Sequence, residues 1–208
     1  MQYLIVNMHS LFVFALIAAV SADVIYEGPC PNIQPKADFD FSAYQGTWYE
    51  MARYPHAGEE GSKGKCTLIE YYVNGNKNGR VKKTHVVDNI QKYVEGGLML
   101  SGPATMMTTL TFGGVSKNAY ITVLDTDYSN YGIAYSCRYF PDGNKHQVRS
   151  WILSRTTTLD ENSRAMVDNY LNESRILDNN KYIGNDYSPL ACQASVVKSI
   201  TDLQNQYY

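Results

Sequence analysis

Eight strand-length runs follow one another along this chain, each closed by a turn signal, and that succession limits the possible folds more than any other feature. The runs span about 46–54, 66–73, 80–88, 92–100, 106–112, 118–126, 131–139 and 147–155. Asn74-Gly75-Asn76, Asp88-Asn89, Gly113-Gly114, the stretch 127–130 and Pro141-Asp142-Gly143 lie between them. Short links between successive strands give an up-and-down antiparallel sheet. Eight such strands can close into a barrel that removes its own edges. One helix follows. Thr158-Leu159-Asp160-Glu161 reads as a capping box, and Met166, Val167, Tyr170 and Leu171 fall on one helical face. The predicted fold is all-β: an eight-stranded up-and-down antiparallel β-barrel with one C-terminal α-helix packed outside.

Alternation decides whether such a barrel is solid or hollow. Over 131–139 one face carries Tyr131, Ile133, Tyr135, Cys137 and Tyr139, the other Gly132, Ala134, Ser136 and Arg138. Cys137 needs a partner outside the sheet, such as the N-terminal segment with Cys30. That turns the small face inward and leaves room for a guest. The same parity over 147–155 turns Gln147, Arg149, Trp151, Leu153 and Arg155 inward, wet at one end and plugged at the other. Over 80–88 the faces are Val81, Lys83, His85 and Val87 against Lys82, Thr84, Val86 and Asp88, and alternation alone leaves both open.

Residues 1–22 contain no Lys, Arg, Asp or Glu, hold a short apolar core over 11–20 and end in Val20-Ser21-Ala22. This predicts a secretory signal peptide, with an apolar run too short for a membrane span, and a secreted, extracellular mature protein from Asp23. The net charge of −2 argues against nucleic acid and anionic membrane partners. Eighteen tyrosines supply most of the aromatic content and suit half-buried strands; Tyr-rich outer faces would also permit a homo-oligomer. In a secreted chain Cys30, Cys66, Cys137 and Cys192 read as two disulfides, and three pairings are open. His56, His85 and His146 lack metal-ligand spacing, and there is no G-x-S-x-G and no pair of inward carboxylates. These absences predict no metal and no enzymatic activity. Asn172-Glu173-Ser174 is the one N-x-S/T sequon, a candidate glycosylation site near the helix end.

Gly46-Thr47-Trp48 opens the first run, Thr126-Asp127-Tyr128 falls in a turn, and Arg155 ends the last run. That trio, in that order, resembles the three signature regions of the lipocalins. Cys30-Pro31, Tyr54-Pro55, Gly64-Lys65-Cys66, Thr111-Phe112-Gly113-Gly114-Val115, Tyr135-Ser136-Cys137-Arg138-Tyr139, Trp151-Ile152-Leu153-Ser154-Arg155 and Asn169-Tyr170-Leu171 narrow the resemblance to the insect bilin-binding lipocalins. It covers 23–192, which makes that stretch a lipocalin domain and leaves 193–208 as a polar C-terminal tail.

The resemblance carries further expectations. It implies disulfides Cys30–Cys137 and Cys66–Cys192. It places Gly46, Trp48 and Arg155 at the closed floor, with the guanidinium stacked on the indole in a structural role. It favours Val81, Lys83, His85 and Val87 as an inward face. Its ligand-binding set carries over to Lys83, His85, Val94, Leu110, Phe112, Val115, Lys117, Ser136, Arg138, Gln147 and Arg149, with Lys83, Arg138 and Arg149 as cations near the mouth. The implied function is a secreted carrier of a hydrophobic small molecule, a biliverdin-type bilin. The alternative is a colourless lipid, retinoid or carotenoid carrier of apolipoprotein-D type.

Overall fold

A computed structural model describes residues 23–56, 64–75 and 77–200; the leader predicted over 1–22 lies outside the described residues. The eight runs form strands β2 (Gly46–Arg53), β3 (Lys65–Asn74), β4 (Asn78–Val87), β5 (Ile90–Gly102), β6 (Thr105–Phe112), β7 (Val115–Thr126), β8 (Tyr131–Phe140) and β9 (Lys145–Ser154). Each pairs antiparallel with the next, and β9 returns to β2 from Tyr49↔Ser154 to Arg53↔Trp151, closing the barrel. The tight turns carry the backbone they need: Asp88 and Asn89, then Gly113 and Gly114, all have positive φ, as two-residue hairpin turns require. No helix among the described residues is long and apolar enough to cross a membrane.

Alternation splits the apolar residues into two cores. Inside lie Trp48, Ile69, Tyr71, Val81, Leu98, Met106, Val123, Ala134 and Leu153, joined by Phe41 and Tyr44. Outside lie Tyr131, Ile133, Tyr135, Val148 and Ile152, covered by Val167 and Leu171. The inner pair comes from α1 (Phe41–Tyr44), whose N-cap Asp40 accepts from the Ser42 and Ala43 N–H groups at 2.8 and 3.2 Å. Gly132 leaves the space that Tyr44 occupies: a Cβ there would sit 3.3 Å from the Tyr44 hydroxyl.

The outer cover comes from α2 (Glu161–Glu173). Its N-cap is Asp160 rather than Thr158. The Asp160 carboxylate accepts from the Ser163 N–H at 3.0 Å and from the Ser163 hydroxyl at 2.6 Å, so a carboxylate does the work a Thr hydroxyl would do in a capping box. Met166, expected on the packed face, is 53% exposed; Ser163, Val167 and Leu171 are the buried residues. Asn172 is exposed, next to the end of the helix.

Three short strands lie outside the eight. β1 (Val24–Glu27) pairs with β9, β10 (Ile183–Gly184) with β2, and β11 (Val196–Ser199) runs parallel to β5 from Val196↔Ile90 to Ser199↔Tyr93. Part of the stretch read as a polar tail thus lies against the sheet. Disulfides join Cys30 to Cys137 and Cys66 to Cys192. The second holds a seam. Strands β2 and β3 pair only from Gly46↔Tyr71 to Tyr49↔Leu68. Beyond that the C-terminal segment bonds to both: Asn185 N–H donates to Met51 C=O at 2.9 Å, Cys66 N–H to Asp186 C=O at 3.1 Å, and the Tyr187 hydroxyl meets the Glu50 and Thr67 carbonyls.

Candidate functional site: the lumen and its mouth

Steps of two along each strand, starting from the inner core, mark the side chains that face the lumen. Lys83 and His85 share a face with Val81, Val94 with Leu98, and Leu110 and Phe112 with Met106. Ser136 and Arg138 share a face with Ala134, and Gln147 and Arg149 with Leu153. Val115 and Lys117 face the same way, opposite Phe112 and Leu110. The ladders bring these residues together as neighbours: Lys83↔Val94, Leu110↔Lys117, Ser136↔Arg149 and Arg138↔Gln147. All eleven residues of the expected ligand set therefore lie on the lumen face. Their distance from one end of the barrel to the other sets them apart.

At the floor everything is packed. The Arg155 guanidinium lies 3.7 Å from the Trp48 ring centroid. It donates to the carbonyls of Tyr128, Thr47, Ala43 and Tyr44, and the indole N–H donates to Tyr44 C=O at 2.8 Å. Burial drives the Tyr44 and Tyr71 hydroxyls far above the usual tyrosine range, so both stay neutral there. Thr126 and Asp127 hold the neighbouring turn. The Asp127 carboxylate accepts from the Ser129, Asn130 and Tyr131 N–H groups.

Toward the other end the same face opens. Val115 is 40% exposed, Lys117 and Arg138 are exposed, and Leu110, Phe112 and Arg149 are half-buried. Inward side chains of a barrel filled to protein density would be shut off from solvent. Here solvent reaches apolar Leu110, Phe112 and Val115 together with three cations. Arg138 stacks its guanidinium 5.0 Å from the Phe140 ring centroid, on the same face of β8.

Lys83 departs from the expected arrangement. It stands across from Ile69 and Val94, both buried, and its ammonium lies 3.9 Å from the Glu50 carboxylate. It belongs to the deep lumen, not to the mouth. Glu50 is fully buried and also accepts from Arg53 at 2.6 Å and from the Asn185 amide at 3.4 Å. Glu50 and Arg53 are three apart, so an unbroken strand would point them to opposite faces. Glu50, two residues after inward Trp48, faces the lumen by plain alternation; a bulge between Glu50 and Ala52 then shifts the register and turns Arg53 inward as well. Nothing in the local sequence signals a bulge there, so alternation from Trp48 gives the direction of Glu50 but not that of Arg53.

Among the described residues no group of three or more His, Cys, Asp or Glu is placed to hold a metal ion, and all four cysteines are in disulfides.

A family model described as the lipocalin / cytosolic fatty-acid binding protein family matches residues 45–184. The chain is 39% identical over 204 residues to insecticyanin-B of Manduca sexta, covering 93% of this chain and 98% of that protein. It is 38% identical over 191 residues to a bilin-binding protein of Pieris brassicae, covering 90% and 100%. The solved structure of insecticyanin from the tobacco hornworm superposes with a TM-score of 0.80 at 38% identity, covering 87% of this chain and 99% of that one.

Proposed function

The chain belongs to the lipocalin / cytosolic fatty-acid binding protein family, and on that premise we propose that it is a secreted, non-enzymatic carrier whose hydrophobic cargo is a biliverdin-type bilin. The observation that carries this reading is the open upper lumen, where Leu110, Phe112 and Val115 meet Lys117, Arg138 and Arg149 on one inward face. A bilin has that duality: a flat apolar tetrapyrrole with two propionates. Burial against the apolar wall drives binding. Charge-assisted hydrogen bonds from the mouth cations to the propionates set its orientation. The bilin-binding relative from Pieris brassicae supports the choice of ligand. Two disulfides in chain-spanning positions fit an oxidising, extracellular setting.

The visible absorption of protein purified from its natural source tests the reading. A bound bilin gives a tetrapyrrole band, and biliverdin added to colourless protein quenches tryptophan fluorescence, with Trp151 on the lumen face as reporter. Colourless protein that biliverdin leaves unquenched sinks the bilin assignment. Native mass spectrometry of the extracted cargo then identifies the lipid, retinoid or carotenoid carried instead.

A further inference from the structure

We propose that Lys83 is a deep ligand anchor, held in place by Glu50, which receives a hydrogen-bond acceptor oxygen from the buried end of the cargo. The inference rests on the carrier reading above and adds a second polar subsite to it, at the opposite end of the lumen from Arg138 and Arg149. Lys83 faces inward, one ladder step above Val81 of the inner core, and retains 17% side-chain exposure. Because Ile69 and Val94 flank it and both are buried, that exposure opens onto the lumen.

Its partner Glu50 has none. One Glu50 oxygen accepts from Arg53 and Asn185; the other carries no hydrogen bond and faces the Lys83 ammonium at 3.9 Å. Arg53, itself 4% exposed, fixes the carboxylate, and the carboxylate attracts the ammonium. Glu50 is too deeply buried to meet a ligand. It is therefore a positioning residue, and Lys83 is the group that touches cargo. An ammonium has only donors to offer, so the matching ligand atom is a carbonyl or carboxylate oxygen. In a bilin with its propionates at the mouth, that oxygen is a lactam carbonyl. In a lipid acid it is the carboxylate.

A double-mutant cycle with two probes, biliverdin and the fluorescent fatty acid cis-parinarate, tests the anchor. Near-UV circular dichroism verifies the fold of each variant. Lys83→Met removes the donor and keeps an unbranched apolar chain; it weakens binding of the probe the protein carries about tenfold, as loss of one charged hydrogen bond would. Lys83→Arg restores most of that affinity. Glu50→Gln keeps the Arg53 contact and weakens binding less, and in the Lys83→Met background it changes nothing, because Glu50 acts only through Lys83. Biliverdin dimethyl ester separates the oxygens: the Lys83→Met loss persists in full with the ester if a lactam is the acceptor and shrinks if a propionate is, because the ester keeps a carbonyl but loses the charge. Unchanged affinity in Lys83→Met, or a Glu50→Gln effect of the same size with and without Lys83, overturns the anchor while the carrier reading stands. Wild-type protein that takes up neither probe overturns both.

Discussion

The Arg155 guanidinium packs on the Trp48 indole at 3.7 Å from its centroid, and all its nitrogens are spent on backbone carbonyls from three segments of the chain. Thr47 is the second residue of β2, Ala43 and Tyr44 belong to α1, and Tyr128 lies in the β7–β8 turn, so one side chain ties the floor together. Arg155→Ala leaves these carbonyls and the ring face without their partner and should cost about 3 kcal/mol. Arg155→Lys should recover little of it, because a single ammonium cannot reproduce a planar fork. Urea denaturation measures both. Ligand affinity per folded molecule should stay the same, since the floor lies beneath Lys83. A neutral Arg155→Lys exchange would show that charge alone, and not the fork, holds the floor.

The two disulfides close long loops, with sequence separations of 107 and 126 residues. In the chain-entropy model, loops of about 100 residues each contribute about 4.7 kcal/mol. Their local consequences differ. The Cys66→Ser/Cys192→Ser pair should release the segment that bridges β2 and β3 and the β11 strand beyond it. Hydrogen exchange should then rise at the Asn185, Ser195 and Ile200 amides, which bond to Met51, Asn89 and Tyr93, while β6 to β8 keep their protection. Uniformly faster exchange over the whole barrel would contradict a local role for this disulfide.

Long elements were legible in the sequence because period-two alternation repeats often enough to set both strand and face. The inward sets on β8 and β9 agree with the inner core; on β4 alternation left both faces open, and the resemblance picked the one that carries Val81 of the inner core. The short strands were not legible: four residues in β1 and β11, and two in β10, carry too little pattern. They exist because barrel neighbours leave backbone groups for them to pair with. Arg53 escaped for a different reason. Its inward direction depends on one bulge residue, and a bulge is decided by the ladder partner, not by the strand's own sequence. The helix cap moved by two residues for a local reason, since the Asp160 carboxylate accepts from the Ser163 N–H and so starts the helix at Glu161.

Acid should weaken the floor through two carboxylates. Burial pushes Asp125 up, but the Lys36 ammonium at 2.8 Å, the Tyr131 hydroxyl at 2.7 Å and the Thr126 backbone outweigh it and hold the group below its usual range. Asp127 is likewise raised by burial and lowered further by the Tyr131 N–H, the Asn130 amide and N–H, and the Ser129 N–H. A depressed folded-state value stabilises the protein above the unfolded value of about 3.9, and this is lost as pH falls through the folded value. The urea midpoint should therefore drop steeply below about pH 4. Asp125→Asn/Asp127→Asn should lower stability at neutral pH and flatten that drop. An equally steep drop in the double variant would assign acid sensitivity to other groups.

The mouth cations make a separate prediction, because they act on charge while the wall acts on area. Arg138 and Arg149 lie on adjacent strands, one ladder step apart on the lumen face, and Lys117 joins them from β7. Their contacts are partly solvated, so each is worth less than the buried anchor. Arg138→Ala and Arg149→Ala should each weaken biliverdin about threefold, and the pair about tenfold. Salt separates this from lost packing. Screening shrinks interactions between exposed charges, so raising ionic strength should weaken biliverdin in the wild type and barely affect the double variant. Biliverdin dimethyl ester, which has no carboxylates, should bind both proteins equally at every salt concentration. If the ester loses as much affinity as the acid, Arg138 and Arg149 contribute through their alkyl stems against the ligand face, and the propionates point elsewhere.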